Sequence, residues 1–155
     1  MMRSLKVFAA LVAVSGIVAA TADGQPGTHS KLVPVAGGVG GGMIEVAPTA
    51  HDVAGPGTFD VQGMINVHGL APSSDYKVLR WVDLIPDGIC TGATALSLPG
   101  NPTLRTSAGG AGALHFEISR GAPFVDGVRF NVLWRVVDAG GHAVLQSDCL
   151  SVTVK

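Results

Sequence analysis

Residues 128–137 read VRFNVLWRVV, and this stretch decides the fold class. Every second position carries a large apolar side chain, and these are Phe130, Val132, Trp134 and Val136. A period of two residues is that of a β-strand, because successive side chains point to opposite faces of a sheet. We therefore predict a strand with one face in a hydrophobic core. The other face carries Arg129, Asn131, Leu133 and Arg135.

The same alternation occurs in residues 58–67 and 113–119, and turn-forming residues separate further short apolar runs. The predicted strands are residues 43–46, 58–67, 76–85, 93–98, 103–106, 113–119, 128–137 and 143–154. After residue 22, no segment keeps a helical apolar period over three turns. The pattern predicts an all-β fold, an immunoglobulin-like antiparallel β-sandwich of about seven to eight strands in a Greek key.

The N-terminus has the pattern of an export signal. Arg3 and Lys6 precede an apolar run, and the tripeptide ATA at 20–22 is a small-x-small cleavage pattern. We predict that residues 1–22 are a signal peptide, cleaved after Ala22, and that the protein is secreted or otherwise extracytoplasmic. The run is shorter than the roughly 20 residues of a membrane span, which argues against stable membrane insertion.

The rest of the chain divides into an arm and one domain. Residues 23–42 are rich in Gly and Pro and include GGVGGG at 37–42, so we predict a flexible arm. Residues 43–155 are expected to form the sandwich. Its two cysteines, Cys90 and Cys149, are predicted to form a disulfide, because an exported chain with few, evenly numbered thiols usually oxidises them.

The charge of the chain excludes one class of partner. The formal net charge is -1, and Lys and Arg form no cluster. A nucleic-acid partner would need a basic patch or stripe, so none is expected. We predict a monomer whose partner is an unknown small molecule or protein.

Three segments resemble a family of secreted proteins. Residues 69–78 read GLAPSSDYKV, which fits G-L-x-P-x-x-x-Y-x-V, a turn common in immunoglobulin-like and fibronectin-like sandwiches. With TSAGG at 106–110 and FVDG at 124–127, this turn is similar to the neocarzinostatin family of apoproteins. The resemblance implies a seven-stranded sandwich that holds an apolar chromophore in a cleft. That family usually has four cysteines in two short loops, whereas the two cysteines here lie 59 positions apart.

Motifs for chemistry are few. No G-x-S-x-G elbow occurs, and the Gly-rich stretches lack the Lys-Ser/Thr ending of a phosphate loop. If His68 pairs with His115 across two strands, and Asn66 with Glu117, a surface metal site is possible. The alternative is a solvated sheet face. All five histidines are isolated in the sequence. We predict no enzyme activity, catalytic residue, cofactor or bound metal.

Residues 76–85 are apolar on both faces, which suggests a binding surface. Leu79 and Trp81 share the second face, beside Leu133 of the neighbouring strand. The candidate ligand-binding residues are Leu79, Trp81, Arg129, Leu133 and Arg135, with the hairpin at 138–142 as their rim. An exposed apolar patch with charged residues around it is typical of binding clefts and interfaces. The alternative is that Trp81 is the core Trp of an immunoglobulin-like third strand.

These observations predict a secreted, non-enzymatic binding or interaction module, with a small apolar molecule or a protein as ligand. The second possibility is a structural secreted or envelope-associated protein without a ligand site. The third is a metal-binding redox protein, which requires His68 and His115 to meet a further ligand.

Overall fold

The computed structural model describes residues 28–50, 59–92, 94–125 and 127–154, which form ten strands and no helix. The strands are β1 Thr28–Pro34, β2 Gly41–Ala50, β3 Phe59–His68, β4 Asp75–Asp83, β5 Leu96–Ser97, β6 Leu104–Arg105, β7 Gly112–Arg120, β8 Arg129–Val137, β9 Ala143–Ser147 and β10 Leu150–Thr153. The all-β prediction is confirmed. The predicted signal peptide, residues 1–22, lies outside the described residues.

All strand pairs are antiparallel and belong to one curled sheet. Its order is β5-β4-β8-β9-β1-β2-β3-β7, and β6 and β10 pair with β4 and β8 beside this path. The sheet bends into a half-barrel, so that the apolar faces of β3 and β7 pack against those of β4 and β8 in one core. Strands β5 and β7 are the two ends of the path and do not pair with each other. The gap between them is called the seam below.

The flexible arm predicted for residues 23–42 is wrong from Thr28 onward. Strand β1 pairs with β2 on one side and with β9 on the other, and it buries Ser30 and Leu32. A Gly-rich turn follows, in which Gly37 and Gly40 take positive φ angles of 76° and 93°. Glycine adopts such angles without strain. The Gly-rich segment that suggested a flexible arm therefore forms a tight turn.

Two predicted strands are shorter in the structure or interrupted. The strand predicted for residues 76–85 ends at Asp83, whose carboxylate accepts a hydrogen bond from the Ile85 N–H at 3.0 Å and turns the chain. The strand predicted for residues 143–154 is interrupted at Asp148 and Cys149, between β9 and β10. The predicted strand at 93–98 contributes only the two residues of β5.

The predicted alternation in β3, β7 and β8 is confirmed. On β8, the four apolar side chains Phe130, Val132, Trp134 and Val136 are all buried in the core. The opposite face of β8 is covered as well at Asn131, which is fully buried. Its amide donates to the Ile85 carbonyl at 2.9 Å and to the Asp87 carboxylate at 3.1 Å. A loop after β4 therefore lies over the outer face of β8.

The turn of the G-L-x-P-x-x-x-Y-x-V segment is held by two buried side chains. The Tyr76 hydroxyl accepts a hydrogen bond from the Ala71 N–H at 3.1 Å. The Thr106 hydroxyl donates to the Ala71 carbonyl at 2.7 Å and accepts from the Ser74 N–H at 2.9 Å. These bonds join the β3–β4 connection to the segment after β6, and they explain why Tyr occupies that place in the pattern.

The disulfide prediction is confirmed, since Cys90 and Cys149 are bonded with their Cα atoms 5.6 Å apart. The bond joins the loop after β4 to the break between β9 and β10. The bonded residues are 59 positions apart in the sequence. A cross-link over such a distance limits the unfolded chain far more than the folded one.

Replacement of both cysteines, Cys90→Ser with Cys149→Ser, is expected to lower the free energy of unfolding by about 4 kcal/mol, since the unfolded chain regains its freedom. Urea denaturation followed by circular dichroism measures this loss. Single replacement of Ser97 by Ala, on the exposed edge strand β5, serves as a control. Equal midpoints for the double variant and wild type would contradict the prediction.

Candidate functional site

The predicted ligand-binding residues of β4 and β8 lie next to one another on the outer face. Leu79 pairs with Arg135, and Trp81 pairs with Leu133. The Arg135 guanidinium lies 4.5 Å from the centre of the Trp81 ring, and its Nε–H donates to the Gln146 amide oxygen at 2.6 Å. Trp81 is only partly buried, so the alternative that it is the core Trp is wrong. Trp134 has that place instead and is 2% exposed.

Two other parts of the predicted binding surface, Arg129 and the hairpin at 138–142, lie apart from the Trp81–Arg135 contact. Arg129 is exposed and pairs with Thr153, beyond the end of the β4–β8 ladder, and the covered Asn131 lies between it and Leu133. The hairpin at 138–142 borders a different depression, together with Leu70 and Tyr76. On the outer face, Trp81 and Arg135 thus contact each other and Leu133 is buried, and a binding role of these residues stays a prediction.

The predicted pairing of His68 with His115 is wrong. His115 pairs with Met64, Glu117 pairs with Gln62, and His68 pairs with Gly41 on β2. The register depends on Gly63, because the Phe116 ring lies where a Cβ of that residue would be. No group of three or more His, Cys, Asp or Glu residues in the described ranges could hold a metal ion. His51 lies outside those ranges.

An apolar cavity lies inside the curled sheet, at the seam. Its volume is about 80 Å³. It is lined by Val46, Phe59, Val61, Arg80, Val82, Leu96, Ile118, Arg120, Phe124, Phe130, Val132, Trp134 and Val152. A single water needs about 10–15 Å³ on this measure, so the space suits a molecule of several heavy atoms.

The ends of the seam explain the position of the cavity. At one end the backbones of β6 and β7 approach closely, and a Cβ on Gly112 would lie 2.8 Å from the Arg105 carbonyl oxygen. At the other end β5 is only two residues long, and Leu96 of β5 and Arg120 of β7 both line the cavity without a ladder between their strands. The cavity lies at this second end.

Three Phe rings form one wall of the cavity. The centre of the Phe59 ring lies 5.4 Å from that of Phe124 and 6.1 Å from that of Phe130. The Phe124 and Phe130 rings meet edge to face at 5.1 Å. Contacts of this geometry hold rings in defined orientations. The wall is therefore a fixed apolar surface.

Arg80 is the unexpected member of the lining. It lies on the core face of β4 with Tyr76 and Val78, and only 4% of its surface is exposed. Its Nη1 donates to the Ser97 carbonyl oxygen at 2.8 Å, whereas its buried Nη2 has no hydrogen-bond acceptor among the described residues. Among the described residues there are two ion pairs, which join Arg105 to Asp75 and His142 to Asp138. No carboxylate of the described residues therefore balances the charge of Arg80.

A second buried donor lies directly beside Arg80. Trp134 is the partner of Arg80 in the β4–β8 ladder, and both side chains belong to the core face and line the cavity. Its indole Nε1–H also has no acceptor among the described residues. Buried donors are nearly always hydrogen-bonded, because an unpaired one loses its solvation without compensation. Two such donors on paired residues are thus the unsatisfied polar atoms of a lining that is otherwise mostly apolar.

The cavity carries positive charge. Burial, and then the nearby charge of Arg120, lowers the pKa of Arg80 from its usual value to about 10. Arg80 is still protonated at neutral pH, since its lowered pKa lies well above 7. The site therefore combines apolar walls with a desolvated guanidinium, and it favours a ligand with a negative or strongly accepting group.

Arg80 was not among the residues selected from the sequence, although alternation does place it on one face with Tyr76, Val78 and Val82. An arginine on such a face, without an acidic residue at a matching position, is the signal that could have found the site.

Comparison of the sequence with protein-family models and with curated proteins finds no match. The resemblance to the neocarzinostatin family therefore stays a prediction. In the described ranges, no helix has the length and hydropathy of a membrane span.

The two tryptophans of the chain are expected to differ in solvent access, because Trp81 lies on the outer face and Trp134 in the core. In the Trp134→Phe variant, the remaining Trp81 should emit at longer wavelength and be quenched readily by acrylamide. In the Trp81→Phe variant, Trp134 should emit at shorter wavelength and resist quenching. The reverse order of the two quenching constants would contradict the assignment of faces.

Proposed function

We propose that the protein is an exported, non-enzymatic binding domain that holds a small, mainly apolar molecule in the seam cavity. One observation carries this proposal, the apolar cavity in which two buried donors lack acceptors among the described residues. The wall consists of apolar side chains and two guanidinium groups. Such a lining suits retention of a ligand better than acid–base or nucleophilic chemistry.

The proposal includes the finer fold and the location of the protein. We propose that the curled sheet is a variant of the immunoglobulin-like sandwich, with β2, β3 and β7 as one layer and β4, β8, β9 and β10 as the other. Strand β1 then joins the layers, since it pairs with both β2 and β9. The disulfide supports export, because such bonds form in oxidising compartments.

A neutral ligand tests the function without reference to charge. We expect 3-phenylpropanol to bind the Trp81→Phe variant saturably and to change the emission of Trp134, whose side chain lines the cavity. The background variant removes the outer-face Trp, so the signal comes from the core alone. Titration followed by Trp fluorescence gives the dissociation constant.

A filling substitution then locates the binding. Val82→Phe places a larger side chain in the cavity lining and is expected to weaken binding about tenfold or more. Val33→Phe is the matched control, because Val33 is 50% exposed on β1 and lies outside the cavity lining. Equal binding by both variants, with folding confirmed by circular dichroism, would contradict binding in the seam.

The outer face around Trp81 is the second candidate site. The half-buried indole under the Arg135 guanidinium favours it, because aromatic and Arg side chains are enriched in interfaces. Binding that is lost in Trp81→Phe but unchanged in Val82→Phe would identify this face. Absence of binding by all ligands tested would favour the structural role.

A further inference from the structure

We propose that the ligand of the seam cavity is a monocarboxylate with an apolar tail, bound through its carboxylate to Arg80 Nη2 and Trp134 Nε1. This inference rests on the proposed function and names the chemical class of the ligand.

The first argument is that the free donors are buried. Arg80 is 4% exposed and Trp134 is 2% exposed, so solvent cannot readily satisfy the Nη2 and Nε1 hydrogen bonds. Both donors lie on neighbouring residues of one ladder, facing the core. An N–H donor on each of two paired residues suits the two oxygens of a carboxylate, which accepts hydrogen bonds and donates none.

The second argument is charge. Arg80 has no carboxylate partner among the described residues, and the second charged residue of the lining, Arg120, is also a cation. A buried cation without a counterion is costly, whereas a bound anion would neutralise it and gain a charge-assisted hydrogen bond. A neutral ligand of the same shape would leave the guanidinium charge uncompensated.

The third argument concerns the apolar part of the cavity wall, which determines what kind of tail the ligand has. Apart from Arg80 and Arg120, every lining residue is aliphatic or aromatic, and three Phe rings pack together on one side. The volume of about 80 Å³ suits a short apolar chain, and the unpaired gap between β5 and β7 leaves the cavity open to a longer tail. An inorganic anion would meet the two donors but would leave the apolar wall without contact, which disfavours phosphate or sulfate as the ligand.

The test compares pairs of ligands that share a carbon skeleton, 3-phenylpropionate with 3-phenylpropanol and octanoate with octanol. Wild-type protein in oxidising buffer is expected to bind each carboxylate at least about tenfold more tightly than its alcohol, because only the carboxylate pairs with the guanidinium. Isothermal titration calorimetry measures both affinities. The aromatic and aliphatic pairs show which tail the wall prefers.

Substitution of the guanidinium should remove this preference. In Arg80→Met, the carboxylate and the alcohol are expected to bind equally, whereas Arg80→Lys should keep part of the preference because it keeps the charge but not the planar fork. Arg105→Met is the matched control, since Arg105 is an exposed arginine of β6 that does not line the cavity. A preference that persists in Arg80→Met would overturn the assignment.

Stability separates a binding role of Arg80 from a structural one. Without ligand, Arg80→Met is expected to unfold at the same or a higher urea concentration than wild type, because an uncompensated buried charge has been replaced by an apolar side chain of similar length. A clear fall in the midpoint would mean that Arg80 is retained for the fold, and would overturn the proposal.

Nuclear magnetic resonance tests the proposal in wild-type protein, whatever the variants do. The indole N–H resonance of Trp134, assigned by its loss in Trp134→Phe, should move downfield with octanoate and much less with octanol. An unmoved resonance at saturating octanoate would overturn the proposal. If alcohols bind as tightly as carboxylates, only the inference fails; if neither class binds, the proposed function fails.

Discussion

A curled antiparallel sheet must either join its two end strands or leave a gap between them, and this constraint determines the interior of the protein. Strand β5 has two residues, which pair with β4 and form no ladder with β7. The core is complete where β6 approaches β7, and it is incomplete beside Leu96 and Arg120, which line the cavity. The cavity, its aromatic wall and the buried guanidinium all lie at the incomplete end.

Two buried polar residues, Asn131 and Arg80, differ in how completely their side chains are hydrogen-bonded. Asn131 is fully buried, but its amide donates to Ile85 and Asp87, and its oxygen accepts from the Ser151 hydroxyl at 2.7 Å. Its hydrogen bonds hold the loop after β4 against the sheet, which is a structural role. Arg80 is nearly as buried, but among the described residues it has only the hydrogen bond from Nη1 to the Ser97 carbonyl oxygen. A buried polar group that stays half satisfied lowers stability, and proteins retain such groups mostly at functional sites.

The sequence predicts the positions of the strands better than it predicts their pairing and register. The period of two in β3, β7 and β8 places residues such as Phe59, Phe116 and Trp134 correctly, because burial on one face requires that period. The sequence does not predict strand β1, because a Gly-rich turn follows it and only two of its residues, Ser30 and Leu32, are buried. The β3–β7 register could not be predicted, since it depends on the Phe116 ring over Gly63, a contact between distant segments.

The candidate site is harder to predict from the sequence than the strands are. Trp81 and Trp134 both occur in apolar strands, and only the pairing of β4 with β8 shows which one faces the core. Alternation does place Arg80 on the core face, but its charge makes burial look improbable unless the gap beside β5 is known. The length of β5 depends on how the segment around Leu96 meets β4, which is a long-range property of the fold.

A crystal structure of the protein with bound octanoate tests the central claim most directly. We expect density for the ligand in the seam cavity, with its carboxylate within hydrogen-bond distance of Arg80 Nη2 and Trp134 Nε1 and its chain against Phe59 and Phe130. A structure in which the Arg80 side chain turns out to solvent, or in which octanoate occupies another surface, would contradict the account.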